Sequence, residues 1–577
     1  MVSIHVRSQI SERLDFYACL RCGCKFVADF RRPTYDTELY GPGAIKFYVE
    51  AGAGIDQLVA PLFAFPTARG ARLLDVGCGY GFTLDFARHV FGLDPIGVDP
   101  SRFAEAGREA LGVPITRRYL SADLDLGAQP FALVVASEVI EHVDDPRAFI
   151  ELVKAKLDES GGVIIATPDG DAVTPQTPPA ELMLLLSPQL HHILFSRRAL
   201  EQLLLRAGFR RVQVIRRANT LIAAAGSGSP QIDLAAPVDR RLLQLYLEQR
   251  RTSVQPDSWV AHGLGYRLLK ELTNTAQYSR ALDTFSELSK SISRVYGIDL
   301  EEPGSIAIAA GADEFDAFAL RYPMNLAGIA YFRGLLALNH ELRPDRASGY
   351  FDLAQRYGVT AGEQLARIGC ADIETDEFAQ RSPFLRARAL AYTAPDDAVG
   401  EVSRLLANVK ERRKPDSAIW RRLQENIVEL FAHLVDLGAL EAAERLAPVV
   451  SVLLAERWGC VRLRHVAYRA LGLLSLNLRR APQNAAAQLL LAERAVMRWQ
   501  QEDPYAADAR EALWRTRYER LLALVVAADA RRALRAAQKF RLAQRDSSDL
   551  PSDVMREAQV LIERLDGERE LAVNGTA

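Results

Sequence analysis

The sequence predicts two textures in one chain: an α/β part built on a doubly wound sheet, then an all-α part built of helical hairpins. Three observations predict this. Short, apolar, β-branched runs alternate with helix-like stretches over the first 225 or so residues. A glycine-rich turn follows the first strong run, where a strand would hand over to a helix. Beyond residue 250 strand-like alternation nearly vanishes, and all five tryptophans lie there.

Taken in order, the start of the chain, MVSIHVRSQISERLDF, has no apolar core of signal-peptide length, and no run of about 18 apolar residues follows anywhere. The expectation is a cytoplasmic protein without a membrane span. Six cysteines in 577 residues make no disulfide scaffold. Three crowd together as Cys19, Cys22 and Cys24 in YACLRCGCKF, a spacing that suits a zinc knuckle or a redox pair. A second cysteine pair is absent and His5 is a poor fourth ligand, so no metal is assigned. The runs ARLLDVG, DPIGVD, FALVVAS and GGVIIATP read as buried strands of a parallel sheet. Between them FTLDFARHVF, SRFAEAGREAL and PRAFIELVKAKL read as helices, which makes βαβ units. The small, polar stretch AAAGSGSPQ reads as a linker.

Segments beyond it, such as IWRRLQENIVELFAHLVDL and ALEAAERLAPVVSVLLAERW, show the i, i+3, i+4 apolar spacing of amphipathic helices. Residues 325–358 resemble a tetratricopeptide (TPR) unit, with Ala347, Phe351 and Ala354 at the spacing of its second helix. The other helices fit that period less well. A TPR-like or irregular solenoid is expected, with a compact helical bundle as the rival. The domain boundaries are therefore a cysteine-bearing lead-in over 1–40, an α/β domain over 41–225, a linker over 226–237 and a helical region over 238–570. Lys plus Arg number 71 and Asp plus Glu 73, a formal charge of −2, which offers no global attraction to nucleic acid.

The informative segment is Leu73-Leu74-Asp75-Val76-Gly77-Cys78-Gly79-Tyr80-Gly81-Phe82. Glycines permit positive φ and let a ligand touch the backbone, and the helix that follows presents free N–H groups. The dinucleotide fingerprint places its third glycine one residue later, where this chain has Phe82. Asp75 at the strand end would repel a pyrophosphate but suits a cationic ligand. Asp99 ends the next strand, where a carboxylate can accept both hydroxyls of a ribose.

With these residues in view, LLDVGCGYGFTLDFA, IGVDPS, ASEVIEHVDDP, LDESGGVIIATP and LFSRRALEQLLLRAGF resemble the ordered motifs of class I S-adenosylmethionine-dependent methyltransferases. The flavour is that of ubiquinone-type O-methyltransferases and bacterial sugar methyltransferases, and it covers about residues 15–225. The lead-in with Cys19, Cys22 and Tyr40 is similar to that of sugar methyltransferases, without their first cysteine pair. Ala132 stands where many members carry Asp. The resemblance implies a seven-stranded sheet, with RRVQVIRR and NTLIAAA as two last, antiparallel edge strands. It implies S-adenosylmethionine as cofactor, held by Asp75, Gly77, Gly79, Gly81 and Asp99. Asp123 is matched to the acid that bonds the adenine amine, with Asp125 as its rival. Ser137 and Glu138 are placed near the methionine end.

His142, His191 and His192 are the catalytic candidates, as general bases at the carboxyl edge of the sheet. His142 has a structural alternative, orienting its loop, and either histidine of the pair has the alternative of a packed or solvated loop residue. The expected activity is methyl transfer to a small-molecule, glycan or protein-bound acceptor, with glycan or cell-surface polysaccharide assembly as the setting and the helices as a surface for a protein partner or polymer. The rival is an interaction scaffold whose methyltransferase part is vestigial.

Overall fold

The computed structural model describes residues 2–4, 14–27, 41–65, 67–177, 179–187, 190–226, 232–309, 314–411, 417–455, 460–503, 506–545 and 552–574. His5, Tyr40, Trp458 and most of AAAGSGSPQ lie outside the described residues.

The apolar runs become a seven-stranded sheet: β1 (Arg72–Val76), β2 (Asp94–Val98), β3 (Ile115–Thr116), β4 (Phe131–Ser137), β5 (Leu157–Pro168), β6 (Arg211–Arg217) and β7 (Thr220–Gly226). Their order across the sheet is β6-β7-β5-β4-β1-β2-β3. Strands β1 to β5 are mutually parallel, with Leu74 opposite Ile96 on one side and Val134 on the other. The two last strands differ from expectation. Only β7 opposes the main strand direction, and it lies inside the sheet between β5 and β6. Ala223 and Ala225, fully buried, explain why NTLIAAA occupies an interior place. β6, with a single buried side chain, Val214, takes the edge.

One face of the sheet (Leu74, Val76, Val134, Ala136, Val163, Ile165) packs on Phe149, Ile150 and Val153 of the helix Pro146–Lys156 and on Leu200 and Leu204 of the helix Arg197–Arg206. Asp145 and Ser196 cap these helices as their sequence positions suggest. A small antiparallel sheet joins Val2–Ile4, Leu14–Ala18, Lys25–Val27 and Ile193–Leu194. The cysteine hairpin at its turn closes through Cys19 N–H to Cys24 O (2.8 Å), and the Cys24 side chain is buried in the core above. Through Phe26 opposite Ile193, the lead-in props the segment that carries His191 and His192.

The compact unit that holds this sheet does not stop at residue 237. It comprises Met1–Leu336 and Leu353–Gln380; a second unit comprises Ala337–Asp352 and Arg381–Ala577. In the first unit the helix Arg240–Ser253 meets the helix that starts the glycine loop's downstream side: Tyr246 and Arg250 both donate to the buried Asp85 at 2.8 Å. The helix Trp259–Asn274 covers a π-helical turn, Tyr48–Gly52. There Glu50, wholly buried, accepts from Lys46 (3.1 Å), Tyr296 Oη (2.9 Å) and the Met324 N–H (2.7 Å) and lies 3.4 Å from His262.

In the second unit, helices from Ser417–Asp436 onward share apolar cores. One is centred on Phe431, Leu446 and Leu474, and another on Trp514, Leu521 and Phe540. Ala347, Phe351 and Ala354, the TPR-like positions, are fully buried, and their helix runs on to Arg367. No helix of the described residues is long and apolar enough to cross a membrane.

These contacts carry a prediction about fragments. A chain of residues 238–577 leaves behind the partners of Tyr246, Arg250, His262 and Arg267, exposing apolar helix faces and stranding buried charges. We expect its first hundred residues to be molten or aggregated while the part beyond residue 381 stays helical. A single cooperative melt of the whole fragment, followed by circular dichroism, would contradict this.

Candidate functional site

The glycine loop leaves β1 at the middle of the sheet. Gly77, Gly79 and Gly81 have φ of +72°, +53° and +89°, a region that side chains disfavour. At Gly77 the constraint is also steric, since a Cβ there would stand 2.3 Å from Val139 Cγ2. At Gly79 the added atom would meet nothing nearer than the Tyr48 hydroxyl at 3.9 Å, so the loop backbone has an open face that a ligand can approach. Tyr48 packs against Phe82 and, edge on, against Phe103 (centroids 5.3 Å).

Asp75 is buried at the end of β1. Burial pushes its carboxyl up to about 8, the neighbouring Asp99 adds to the rise, and the Thr83 hydroxyl opposes it. A carboxyl so placed gains most from a cation. Asp99, just past β2, is also buried; its Oδ2 accepts the Gly79 N–H at 2.9 Å and its Oδ1 the Ser101 N–H at 2.8 Å. It ties the loop to the second strand and keeps accepting capacity on Oδ2 for a further donor. Asp75, the three glycines and Asp99 therefore come together, and a buried acid beside an open glycine backbone fits a cationic nucleoside. Asp123 is exposed on the loop after β3 and is held below its ordinary range by the Ser121 hydroxyl; Asp125 is exposed too and caps the Gly127 N–H at 2.9 Å.

Ser137 ends β4 and Glu138 follows with φ +56°, a strained value for a side-chain-bearing residue. The Glu138 side chain is exposed, yet protein atoms around it push its carboxyl up to about 7. Sequence reasoning missed Glu141, which is fully buried, accepts the Thr167 hydroxyl at 2.9 Å and is raised well above the ordinary range by burial and then by Glu138. The i, i+3, i+4 spacing of Glu138, Glu141 and His142 was the available signal.

His142 and His191 meet here with ring centroids 4.9 Å apart. Each ring is pinned, His142 Nδ1 to Leu190 O and His191 Nδ1 to Leu185 O, both at 2.7 Å. His142 is thus tied to the segment just ahead of His191. Burial lowers both rings, His191 to about 4, where a base accepts protons poorly at neutral pH. His192 is not part of this group: its N–H donates to Glu141 O at 2.8 Å and its carbonyl accepts from Val27 at 3.2 Å.

Comparison with known proteins agrees with this architecture. Residues 50–214 match the family described as "Methyltransferase domain". The ubiquinone biosynthesis O-methyltransferase of Methylobacterium sp. (strain 4-46) is 37% identical over 112 residues, 18% of this chain and 44% of that protein. That of Rhodopseudomonas palustris (strain HaA2) is 35% identical over 103 residues, 17% and 40%. The chain thus spans less than half the length of these relatives. Among solved structures, phosphoethanolamine N-methyltransferase 2 of Haemonchus contortus, bound to S-adenosyl-L-methionine, is 18% identical, with coverage of 36% of this chain and 62% of that one and a TM-score of 0.28. The glycine loop and most of the seven-stranded sheet lie within this match to a methyltransferase domain.

Proposed function

We propose that the chain transfers a methyl group from S-adenosylmethionine to a hydroxyl acceptor. The observation that carries this reading is the buried Asp75 beside the open face of Gly79, with Asp99 at the next strand end. S-adenosylmethionine supplies an electrophilic methyl on a sulfonium sulfur. Asp75 meets the positive charge of the cofactor's methionine part, Asp99 accepts from the ribose hydroxyls, Asp123 from the adenine amine, and Ser137 with Glu138 faces the methionine end. Holding donor and acceptor in line supplies much of the rate by itself, about 7–11 kcal/mol in favourable cases. The carboxyl edge of the sheet is where the acceptor sits, between β4 and the segment around His191. A glycan is the acceptor class we favour, because the lead-in resembles that of sugar methyltransferases.

The test is calorimetric titration with S-adenosylhomocysteine, followed by labelled methyl transfer to a panel of sugar nucleotides, lipid-linked glycans and phenols. No uptake of S-adenosylhomocysteine would leave the domain a vestigial part of a scaffold. Transfer to phenols alone would remove the glycan.

The raised Asp75 carboxyl makes binding pH-dependent. In the free protein it holds its proton up to about 8, far above its ordinary 3.8. A cationic ligand favours the ionised form, so binding below pH 8 releases a proton and affinity for S-adenosylmethionine rises with pH, levelling off near 8. Without ligand the sign is opposite for stability: the group is harmless below about pH 4 and destabilises the fold progressively as pH rises towards 8. Titrations in two buffers of different ionisation heat measure the released proton, and Asp75→Asn should abolish it.

A further inference from the structure

The cysteine hairpin of the lead-in has no part in holding the cofactor, yet its thiols are free and stand in contrasting settings. Cys19 follows the strand Leu14–Ala18 and Cys24 precedes the strand Lys25–Val27. The turn between them closes through Cys19 N–H to Cys24 O and Gly23 N–H to Cys19 O, both at 2.8 Å. Leu20 and Arg21 form the tip and are exposed, so a small reagent can reach it.

The Cys19 sulfur lies over the main chain of this turn. It accepts from the N–H groups of Cys22 and Arg21 and meets the Cys22 thiol. Successive N–H groups aimed at one atom make a cradle for an anion, here a thiolate. They hold the Cys19 thiol below its ordinary value, the Cys22 N–H contributing most. The thiolate is the nucleophilic form of the side chain. Cys24 is the opposite case: it packs in the core, and burial pushes its thiol up to about 12. A thiol held so high stays protonated at neutral pH. Cys22, half-buried, is within hydrogen-bond reach of both sulfurs. Positions i and i+3 of a tight turn lie within about 7 Å, close to the span that a disulfide bridges. Cys19 is therefore placed to attack and Cys22 to resolve.

We propose that Cys19 and Cys22 form a thiol–disulfide exchange site for low-molecular-weight disulfides of the glutathione type. The Cys19 thiolate attacks one sulfur of the incoming disulfide, forms a mixed disulfide and expels the other half as a thiolate. Cys22 gives up its proton, attacks the Cys19 sulfur and expels the second half. Two protein thiols are oxidised to one disulfide, the reagent is reduced to two thiols, and the two protons pass to them. In a reducing compartment such a pair senses the redox state rather than stapling the fold. The hairpin also reaches the acceptor side of the domain. Cys22 O accepts the Ser196 hydroxyl, which caps the helix Arg197–Arg206. A Cβ at Gly23, whose φ is +81°, would stand 3.2 Å from Ser196 Cβ. Val27 N–H donates to His192 O, and Phe26 pairs with Ile193. Bridging the tip shifts the Cys22 carbonyl, and with it this cap and the segment around His191. Oxidation should lower acceptor turnover and leave S-adenosylhomocysteine affinity unchanged. That consequence rests on the proposed methyl transfer; the thiol chemistry does not.

The experiment equilibrates the full chain with oxidised and reduced glutathione in graded ratios, then alkylates the thiols and maps them by mass spectrometry. The expected result is that Cys19 and Cys22 are lost to alkylation together. Cys22→Ser should stop at a mixed disulfide of Cys19 with glutathione, and Cys24→Ser should keep the bridge. Cys19 should react about tenfold faster at pH 7 than the exposed Cys460, with a midpoint below the ordinary 9.0. Cys19 and Cys22 that both stay alkylatable in excess oxidised glutathione overturn the proposal. A bridge that Cys24→Ser removes overturns it as well, since Cys24 would then be the partner of Cys19. Thiols that react only after a chelator is added overturn it in favour of a bound metal. Unchanged turnover of the oxidised chain strikes the coupling to the acceptor segment. S-adenosylhomocysteine titration of every variant tests the cofactor reading separately: exchange without such binding would sink the methyltransferase reading and leave the site.

Discussion

Arg267→Met is expected to cost the first compact unit about 3–5 kcal/mol and most of its affinity for S-adenosylhomocysteine. The guanidinium is buried and donates to Val49 O (2.8 Å), Ala51 O (3.2 Å) and Ala53 O (2.7 and 2.9 Å), carbonyls in and just after the π-helical turn. Methionine fills similar volume but removes every one of these donors, and a buried carbonyl left without a partner loses about 1–3 kcal/mol before relaxation. The same turn carries Tyr48 to the glycine loop, and Arg267 itself lies over the Phe82 ring at 6.0 Å. Stability and cofactor affinity should therefore fall together. A variant that melts lower by denaturant titration yet binds S-adenosylhomocysteine as before would show that Tyr48 does not need the turn. On this geometry, removing residues 240–577 weakens cofactor binding as well as acceptor turnover.

Asp99→Ala is expected to weaken S-adenosylhomocysteine binding by a hundredfold or more, and Asp123→Ala by less than tenfold. Hydrogen bonds to a buried carboxylate are worth about 1.5–3 kcal/mol each, and a ribose makes two. Asp99 also holds Gly79 and Ser101, so its loss loosens the loop as well. Asp123 is exposed, where water competes for the adenine amine. Isothermal titration of both variants decides it, and equal losses would mean that the ribose lies elsewhere.

The strands were legible because buried parallel strands leave continuous apolar runs; FALVVAS and GGVIIATP could hardly be anything else. The place of β7 was less legible, since NTLIAAA is a short run of mostly small apolar side chains beside the more polar RRVQVIRR, and only packing decides which is interior. Asp75 and Asp99 were visible because strand ends and glycines mark them. Glu141 was marked only by its spacing from Glu138 and His142, because its burial against Thr167 and His191 depends on a loop and a three-residue strand from the lead-in. The boundary at 226–237 rested on texture, and texture reports that a helix is amphipathic without saying what its apolar face will meet. Buried pairs such as Arg250 with Asp85 leave no pattern in sequence at all.

The close approach at Gly263 has a consequence for anyone who would recombine this protein. A Cβ at that position would stand 2.2 Å from Val49 O, so the helix Trp259–Asn274 and the turn Tyr48–Gly52 touch main chain to main chain. No change of rotamer can relieve a collision with a carbonyl. The helices after residue 240 are therefore not a cassette to be transplanted onto another methyltransferase sheet. A working chimera has to carry residues 42–53 along with them, which places the seam of any graft inside the α/β domain.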